Sequence, residues 1–262
     1  MEAINVAIEA AHQAGELILR YFRQPQVIHA KGPGDLTTHV DQEAEEIIVR
    51  VIRQIFPDHD FLGEEGHSAH CEAESLWVID PLDGTRNYSV GIPWFCTSIA
   101  LAVKGRAILG VIYDPVRGET FYAEAGKGAY FNGQAIRCSK KTNMERAIAA
   151  IGFLPARHKE NPGLALPMLT RLHPMIEATR IMGAAALNLA YVASGRVEIS
   201  FHDRVSAWDI LAGALLIEEA GGTATDFAGR PISVASQNII AASNAAFHKE
   251  VLRIAQEILR EQ

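Results

Sequence analysis

The stretch Leu76-Trp-Val-Ile-Asp-Pro-Leu-Asp-Gly-Thr-Arg-Asn-Tyr88 constrains this chain more than any other part of it. From Leu76 to Ile79 the residues are apolar and mostly branched, which predicts a buried strand. Asp80 ends the run, and Pro81 forbids its simple continuation because a proline nitrogen donates no hydrogen bond. Gly84 then lets the backbone bend and come close to a ligand. Asp80 and Asp83 sit at the mouth of the strand and form a dense spot of negative charge, the kind of oxygen donor set that Mg2+ seeks. The same residues also compose an Asp-Pro, Asp-Gly turn with solvated carboxylates. Taken alone, the stretch supports both readings.

A chain of 262 residues can hold one large domain or two closely joined ones. With 48% hydrophobic residues it can bury a substantial core, and no apolar run is long enough to span a membrane. The N-terminus lacks the basic-then-apolar layout of a secretory signal. Cys71, Cys96 and Cys138 are odd in number, widely separated and fit no zinc spacing, so a reduced, cytoplasmic setting is expected. The net charge is −7, from 24 basic and 31 acidic residues without a basic cluster, which argues against nucleic acid as the main partner. An acidic protein that handles anions would need metal to offset the repulsion.

Along the chain, apolar residues at helical spacing from Ile4 to Phe22 predict an amphipathic helix. Lys31 to Asp35 reads as a loop. Thr38 and Asp41 precede a second helical pattern running from Ala44 to Ile55, where Asp41 reads as a first-turn acid favoured by the helix dipole. Glu64 and Glu65, in a glycine-flanked loop, read as solvated. Four strand-like runs follow: Thr97 to Val103, Ala107 to Tyr113, Thr120 to Ala123 and Ala129 to Phe131. The turn signals between them, and Asn132-Gly133 after the last, predict an antiparallel meander.

From Ala147 onward strand and helix alternate. Ala147 to Ile151, Thr179 to Met182, Val197 to Phe201 and Ile239-Ile240 read as strands. Ala184 to Ser194 is a small-residue helix. Ser206-Ala-Trp-Asp209 opens another, which stops at Gly221-Gly222, and Asn244 caps a last one ending near Leu259. Ser206-x-x-Asp209 is a capping box, in which Asp209 simply satisfies the serine amide. Two halves are therefore expected, 1–145 and 146–262, tightly joined and effectively one unit.

Read together, Gly63-Glu-Glu, Trp77-Val-Ile-Asp-Pro-Leu-Asp-Gly-Thr85 and Trp208-Asp209 ahead of an apolar helix and Gly-Gly carry a further meaning. In this order they resemble the inositol monophosphatase family of lithium-sensitive, magnesium-dependent phosphatases, from Lys31 to Gly222. The Asp-Pro-Leu-Asp-Gly-Thr signature is specific, whereas the Glu-Glu and Trp-Asp pieces are weak alone. The resemblance implies an α+β fold, a layered αβαβα sandwich of the sugar phosphatase type, and a homodimer. It implies that Glu64, Asp80 and the Leu82 carbonyl bind one Mg2+, that Asp80, Asp83 and Asp209 bind a second, and that a third rests loosely on Glu64. Thr85 and Asp41 match the pair that orients the attacking water, with Glu64 also at the catalytic centre. Asp83, Gly84, Thr85, Ala185 and His202 match positions that face the substrate, the amides of Gly84 and Thr85 holding phosphate.

The chemistry suits these residue types. Phosphate monoester hydrolysis is among the slowest uncatalysed reactions, so neutralising charge matters most. Two ions about 3.5–4 Å apart can clamp the attacking and leaving oxygens. The implied substrate is a small phosphorylated polyol or sugar. Two departures bear on which one. The family's Gly-Ser/Thr-Ala-Ala appears as Gly183-Ala184-Ala185-Ala186, without its hydroxyl, and a hydroxyl-binding glutamate is replaced by His202. Histidine can donate as well as accept and can carry positive charge near neutral pH, which predicts a shift away from inositol monophosphate. Related members act on fructose bisphosphate, histidinol phosphate, nucleotide-derived phosphates or NADP, and some contact the transcription machinery. A purely regulatory binding role is the alternative from another class, although a phosphatase that had lost its activity would be expected to lack one of these carboxylates.

Overall fold

Helical spacing of apolar residues builds α1 (Ala3–Tyr21) and, after β1 (Ile28–Gly32) and β2 (Asp35–Thr38), α2 (His39–Arg53). The computed structural model describes residues 2–24, 28–32, 35–68, 74–152 and 163–261, with the backbone alone for 28–32, 35 and 36. Cys71 and the side chains of Lys31 and Asp35 lie outside the described residues. β1 and β2 pair antiparallel, so Lys31, Gly32 and Asp35 belong to paired strands rather than to the expected loop.

Next come β3 (Asp60–Gly63), β4 (Leu76–Asp83), the short α3 (Thr85–Ser89), β5 (Cys96–Val103), β6 (Arg106–Asp114), β7 (Glu119–Glu124), β8 (Gly128–Phe131) and β9 (Gln134–Ile136). They form one sheet in chain order, β3 parallel to β4 and the rest an antiparallel meander. Asn132 and Gly133 both take left-handed φ, as a two-residue turn between β8 and β9 requires.

The second half runs β10 (Ile148–Ile151), α4 (Ala165–Leu172), β11 (Ala178–Ile181), α5 (Ala185–Ala193), β12 (Ile199–Asp203), α6 (Ala207–Glu219), β13 (Thr223–Thr225), β14 (Asn238–Ala242) and α7 (Ala245–Glu261). Its sheet has the order β11-β10-β12-β14-β13 and mixes parallel with antiparallel pairs. The sequence did not announce α4 or β13, each too short to show its period clearly.

Alternation along the strands sorts the core into layers. On β4, Trp77 and Ile79 pack with α1 and α2, while Leu76 and Val78 turn to α5 and α6. On the second sheet Ala150, Ile239 and Ala241 meet α5 and α6 from the other side. Ile151, Phe201 and Ile240 face α4 and α7 instead. The result is helix, sheet, helix, sheet, helix: the αβαβα sandwich. α6 lies in its middle layer and is buried from Ile210 to Ile217, which explains why it is apolar on every side. It packs closely because its contacts are small. A Cβ on Gly110 of β6 would fall 2.9 Å from the Cα and carbonyl oxygen of Ala212.

Candidate active site

Pro81 does not end β4. The strand continues to Asp83 through a slip in register: Asp80 faces Ser98 and Asp83 faces Cys96, so β4 carries one residue more than β5 between those pairs. Thr97 Oγ1 donates to the Pro81 carbonyl at 2.9 Å, and Leu82 N donates to Asp80 Oδ1 at 2.9 Å. These bonds satisfy the Pro81 carbonyl and the Leu82 amide where the ladder slips. In an unbroken strand residues 80 and 83 would point to opposite faces. The extra residue removes that parity and lets both carboxylates converge.

α6 brings the third. Ser98, the ladder partner of Asp80, donates its hydroxyl to the Trp208 carbonyl at 3.0 Å, fastening the start of α6 beside the strand. Carboxylate oxygens of Asp80, Asp83 and Asp209 then lie within 4.8 Å of one another. Asp209 also accepts from Ser206 N at 2.7 Å, so the capping arrangement read from the sequence exists and occupies only part of its carboxylate. Asp83 Oδ2 accepts from Ala186 N at 2.7 Å, at the start of α5.

Burial sets the electrostatics. It raises the Asp80 carboxyl well above the usual carboxylate range, and the charges of Glu64, Asp83 and Asp209 raise it further. Burial also pushes Asp83 up to about 7, against the downward pull of the Ala186 and Ala185 amides. Three carboxylates this close and this dry repel one another unless a cation or protons intervene.

Asp41 approaches from α2. Its Oδ2 accepts from Thr38 N at 2.8 Å and Thr38 Oγ1 at 2.6 Å, while Oδ1 accepts from Thr85 Oγ1 at 3.0 Å. The first-turn role and a contact to Thr85 are therefore both present. Burial raises Asp41 to about 6, with the Thr38 bonds opposing. Thr85 Oγ1 also lies 2.9 Å from the Leu82 carbonyl, and its one proton can serve only one of these acceptors at a time. Gly84, which precedes Thr85, has φ 97°, and a Cβ there would come within 2.9 Å of the Trp94 carbonyl. Only glycine fits that conformation without strain.

Glu64 stands beside this group. Its amide donates to the Ile79 carbonyl at 3.2 Å, and its charge acts on both Asp80 and Asp83, although it is outside the tight three-carboxylate cluster. It is half-buried, not fully solvated. Ala185 lies half-buried at the start of α5.

His202 departs from expectation on its charge. The residue is 3% exposed, its Nε2 lies 3.1 Å from Ser200 Oγ, and its ring covers Gly152 so closely that a Cβ there would fall 2.5 Å from Nδ1. Burial drops it to about 4, so the ring is neutral near pH 7. The sequence placed the residue but could not show how deeply it sits. Asp203, next along β12, accepts instead from Leu164 N at 2.7 Å.

Two supporting residues had escaped notice. Asn87 Nδ2 donates to the Trp94 carbonyl at 2.8 Å and the Met182 carbonyl at 2.7 Å, clamping α3 to the segment that leads into α5. Nothing in its local sequence announces this. Ser98 left only the trace of a hydroxyl in an otherwise apolar strand.

With this geometry in hand, similarity to known proteins becomes informative. Residues 1–260 match the family model described as the inositol monophosphatase family. The chain is 36% identical over 263 residues to a fructose-1,6-bisphosphatase/inositol-1-monophosphatase of Thermotoga maritima, covering 100% of this chain and 98% of that protein. It is 41% identical over 251 residues to Nus factor SuhB of Pseudomonas aeruginosa, covering 93% and 92%. Among solved structures, a Thermotoga maritima IMPase superposes with a TM-score of 0.89 at 35% identity, covering 100% and 99%. The extragenic suppressor protein suhB of Bartonella henselae gives 0.88 at 36%, covering 96% and 97%.

Proposed function

The chain belongs to the inositol monophosphatase family, a family of phosphatases, and from that premise we propose that it is a Mg2+-dependent phosphomonoesterase for a small phosphorylated polyol or sugar. The convergence of Asp80, Asp83 and Asp209 within 4.8 Å, beside the Thr85–Asp41 pair, carries this reading. The donor set fits a hard cation: every donor is an oxygen, most of them carboxylate, and Asp80 and Asp83 are buried where their charges oppose one another. Asp80, Asp83, Asp209, Glu64 and the Leu82 carbonyl would hold two or three such ions. Mg2+ there would neutralise charge developing on the phosphate and leaving oxygens and would make a nearby water more acidic.

The protein's own groups supply the rest. When the Thr85 hydroxyl donates its hydrogen bond to Asp41, its oxygen is left to accept a hydrogen bond from the attacking water and so to aim it. The Leu82 carbonyl, then without the Thr85 hydrogen bond, would be available to a bound cation. Asp41, raised to about 6, is ionised near neutral pH yet basic enough to take a proton passed along the Thr85 hydroxyl. The amides of Gly84 and Thr85 hold the phosphate, and Ala185 and a neutral His202 border the organic part. A neutral ring hydrogen-bonds a polyol but offers no charge to a second phosphate, so the polyol or sugar is preferred to a bisphosphate. Fructose bisphosphate, histidinol phosphate, NADP and nucleotide phosphates remain the alternatives within the family.

The test is phosphate release from a panel of phosphomonoesters, with Mg2+ and with excess EDTA. Release from at least one polyol or sugar phosphate, abolished by EDTA and restored by Mg2+, is expected. Full activity in chelator would sink the mechanism. The 41% identity to a protein named Nus factor SuhB favours a second reading, a regulatory binding role. Absence of release from every ester with Mg2+ present would favour that role alone.

A further inference from the structure

Glu45 is a buried carboxylate that the phosphatase reading leaves unused. It projects from α2, is 2% exposed, and is surrounded by the loop that follows β3. Its Oε2 accepts from Glu65 N at 2.9 Å. Its Oε1 accepts from His67 N at 3.3 Å and lies 2.8 Å from His67 Nδ1. The fit is close enough that a Cβ on Gly63 would fall 2.4 Å from the carboxyl carbon. An ionisable group is costly to bury, so it is retained where its bonds accomplish something.

What these bonds help to fix is the residue just before them, Glu64. On one side the Glu64 amide donates to the Ile79 carbonyl, one residue before Asp80. On the other, Glu45 takes the next amide in the chain. Gly63 N donates to the His67 carbonyl at 2.7 Å, and Thr37 Oγ1 donates to Glu65 Oε2 at 2.9 Å, which closes the loop on itself and on β2. Without a cation, the charge of Glu64 opposes those of Asp80 and Asp83, which favours a loop position farther from them. A rigid anchor resists that drift and holds the ligand where a cation needs it.

We propose that Glu45 is a positioning residue for the metal centre, holding the loop of residues 63–67 so that Glu64 is presented to the cation beside Asp80. This rests on the metal-dependent reading above. It predicts that loosening the anchor weakens cation binding rather than the chemical step.

The experiment titrates the full-length protein with Mn2+, following free ion by electron paramagnetic resonance, and compares wild type with Glu45→Gln. The amide side chain keeps the size but has one acceptor oxygen in place of two. Mn2+ binding should weaken by about tenfold or more, as loss of an outer-shell partner commonly does. The Mg2+ concentration for half-maximal turnover should rise in parallel, with turnover at saturating Mg2+ within about threefold of wild type. Gly63→Ala displaces the same carboxylate without deleting it and should give the same loss. His67→Ala, at a half-exposed position, removes only one of the donors and should weaken Mn2+ binding by a smaller factor. A lower melting temperature in EDTA with unchanged Mn2+ affinity in the folded variants would show that Glu45 merely stabilises the loop, and would overturn the proposal. If wild type itself binds no Mn2+, the metal reading fails and takes this inference with it.

Discussion

A residue can satisfy a local rule and a distant site at once, and Asp209 does so: one oxygen caps α6 while the carboxylate joins Asp80 and Asp83. Two variants separate the roles. Asp209→Asn should cost nearly all turnover, whereas Ser206→Ala keeps the amide that Asp209 caps and should leave turnover near normal. If Asp209 were only a cap, its loss would cost about 1 kcal/mol of stability with activity retained, so rate and melting temperature are measured together. Asp80→Asn should abolish turnover while the metal-free protein melts no lower than wild type, because the substitution removes a buried repulsive charge. A clear drop in its melting temperature in EDTA would contradict that account. The raised carboxyls also set a pH dependence. Asp41, at about 6, and Asp83, at about 7, bind protons more tightly folded than unfolded. Stability of the metal-free protein should therefore fall as pH rises from about 4 to about 7, by on the order of 3 kcal/mol for Asp41 alone. Saturating Mg2+ should reduce the part of that decline due to Asp83, because the cation would bind its ionised form. Melting temperatures in EDTA that rise across this range would refute the assignment.

At the scale of elements, the site depends on close packing of pieces that the chain keeps far apart. β4 carries two of its carboxylates because of a bulge, and α6 carries the third because Ser98 and the small contact at Gly110 let it approach β5 and β6. Gly110→Ala would press a methyl group into the backbone of Ala212. The expected cost is about 1–3 kcal/mol, the usual range for overpacking, read from urea unfolding. No loss of stability would mean that α6 can shift freely, which the burial of Ile210 to Ile217 argues against. The period-2 and helical patterns were legible for α1, α2, α5, α6, α7 and for the meander, because each has one wet and one dry side or turn residues at its ends. The passage of β4 beyond Pro81 was not, because the bonds that satisfy the backbone around the proline come from Thr97, and from Asp80 turning back on its own chain.

For the molecule as a whole, α5 and α6 form a shared middle layer, and the core cluster around them takes residues from both halves of the chain, from Leu76 to Ala241. We propose that the regions 1–145 and 146–262 unfold as one unit, which a single calorimetric transition in EDTA would support and two resolved transitions would refute. Among the described residues no helix is long and apolar enough to cross a membrane. We propose, on the family resemblance, that the protein is a homodimer and is sensitive to lithium. Light scattering of the purified protein and a lithium titration of Mg2+-dependent phosphate release are their direct tests.

The sequence by itself determined most of the helices and strands and placed carboxylates after an apolar strand and a threonine after glycine, because periodicity and turn chemistry are local properties; the layering and the ligand set came from the resemblance of its motifs to a family. It left open whether Asp41, Glu64 and Asp209 were solvated acids, caps or ligands, since each answer obeys the same short-range rules. Tertiary structure decided among them only as far as proximity can: it brought Asp209 to Asp80 and Asp83, and Asp41 to Thr85. It also decided what no motif encodes, the burial that neutralises His202 and raises Asp80, and the grip of Glu45 on the loop beside Glu64. Desolvation and long-range hydrogen bonds depend on which surfaces meet, and that is fixed only when the layers close.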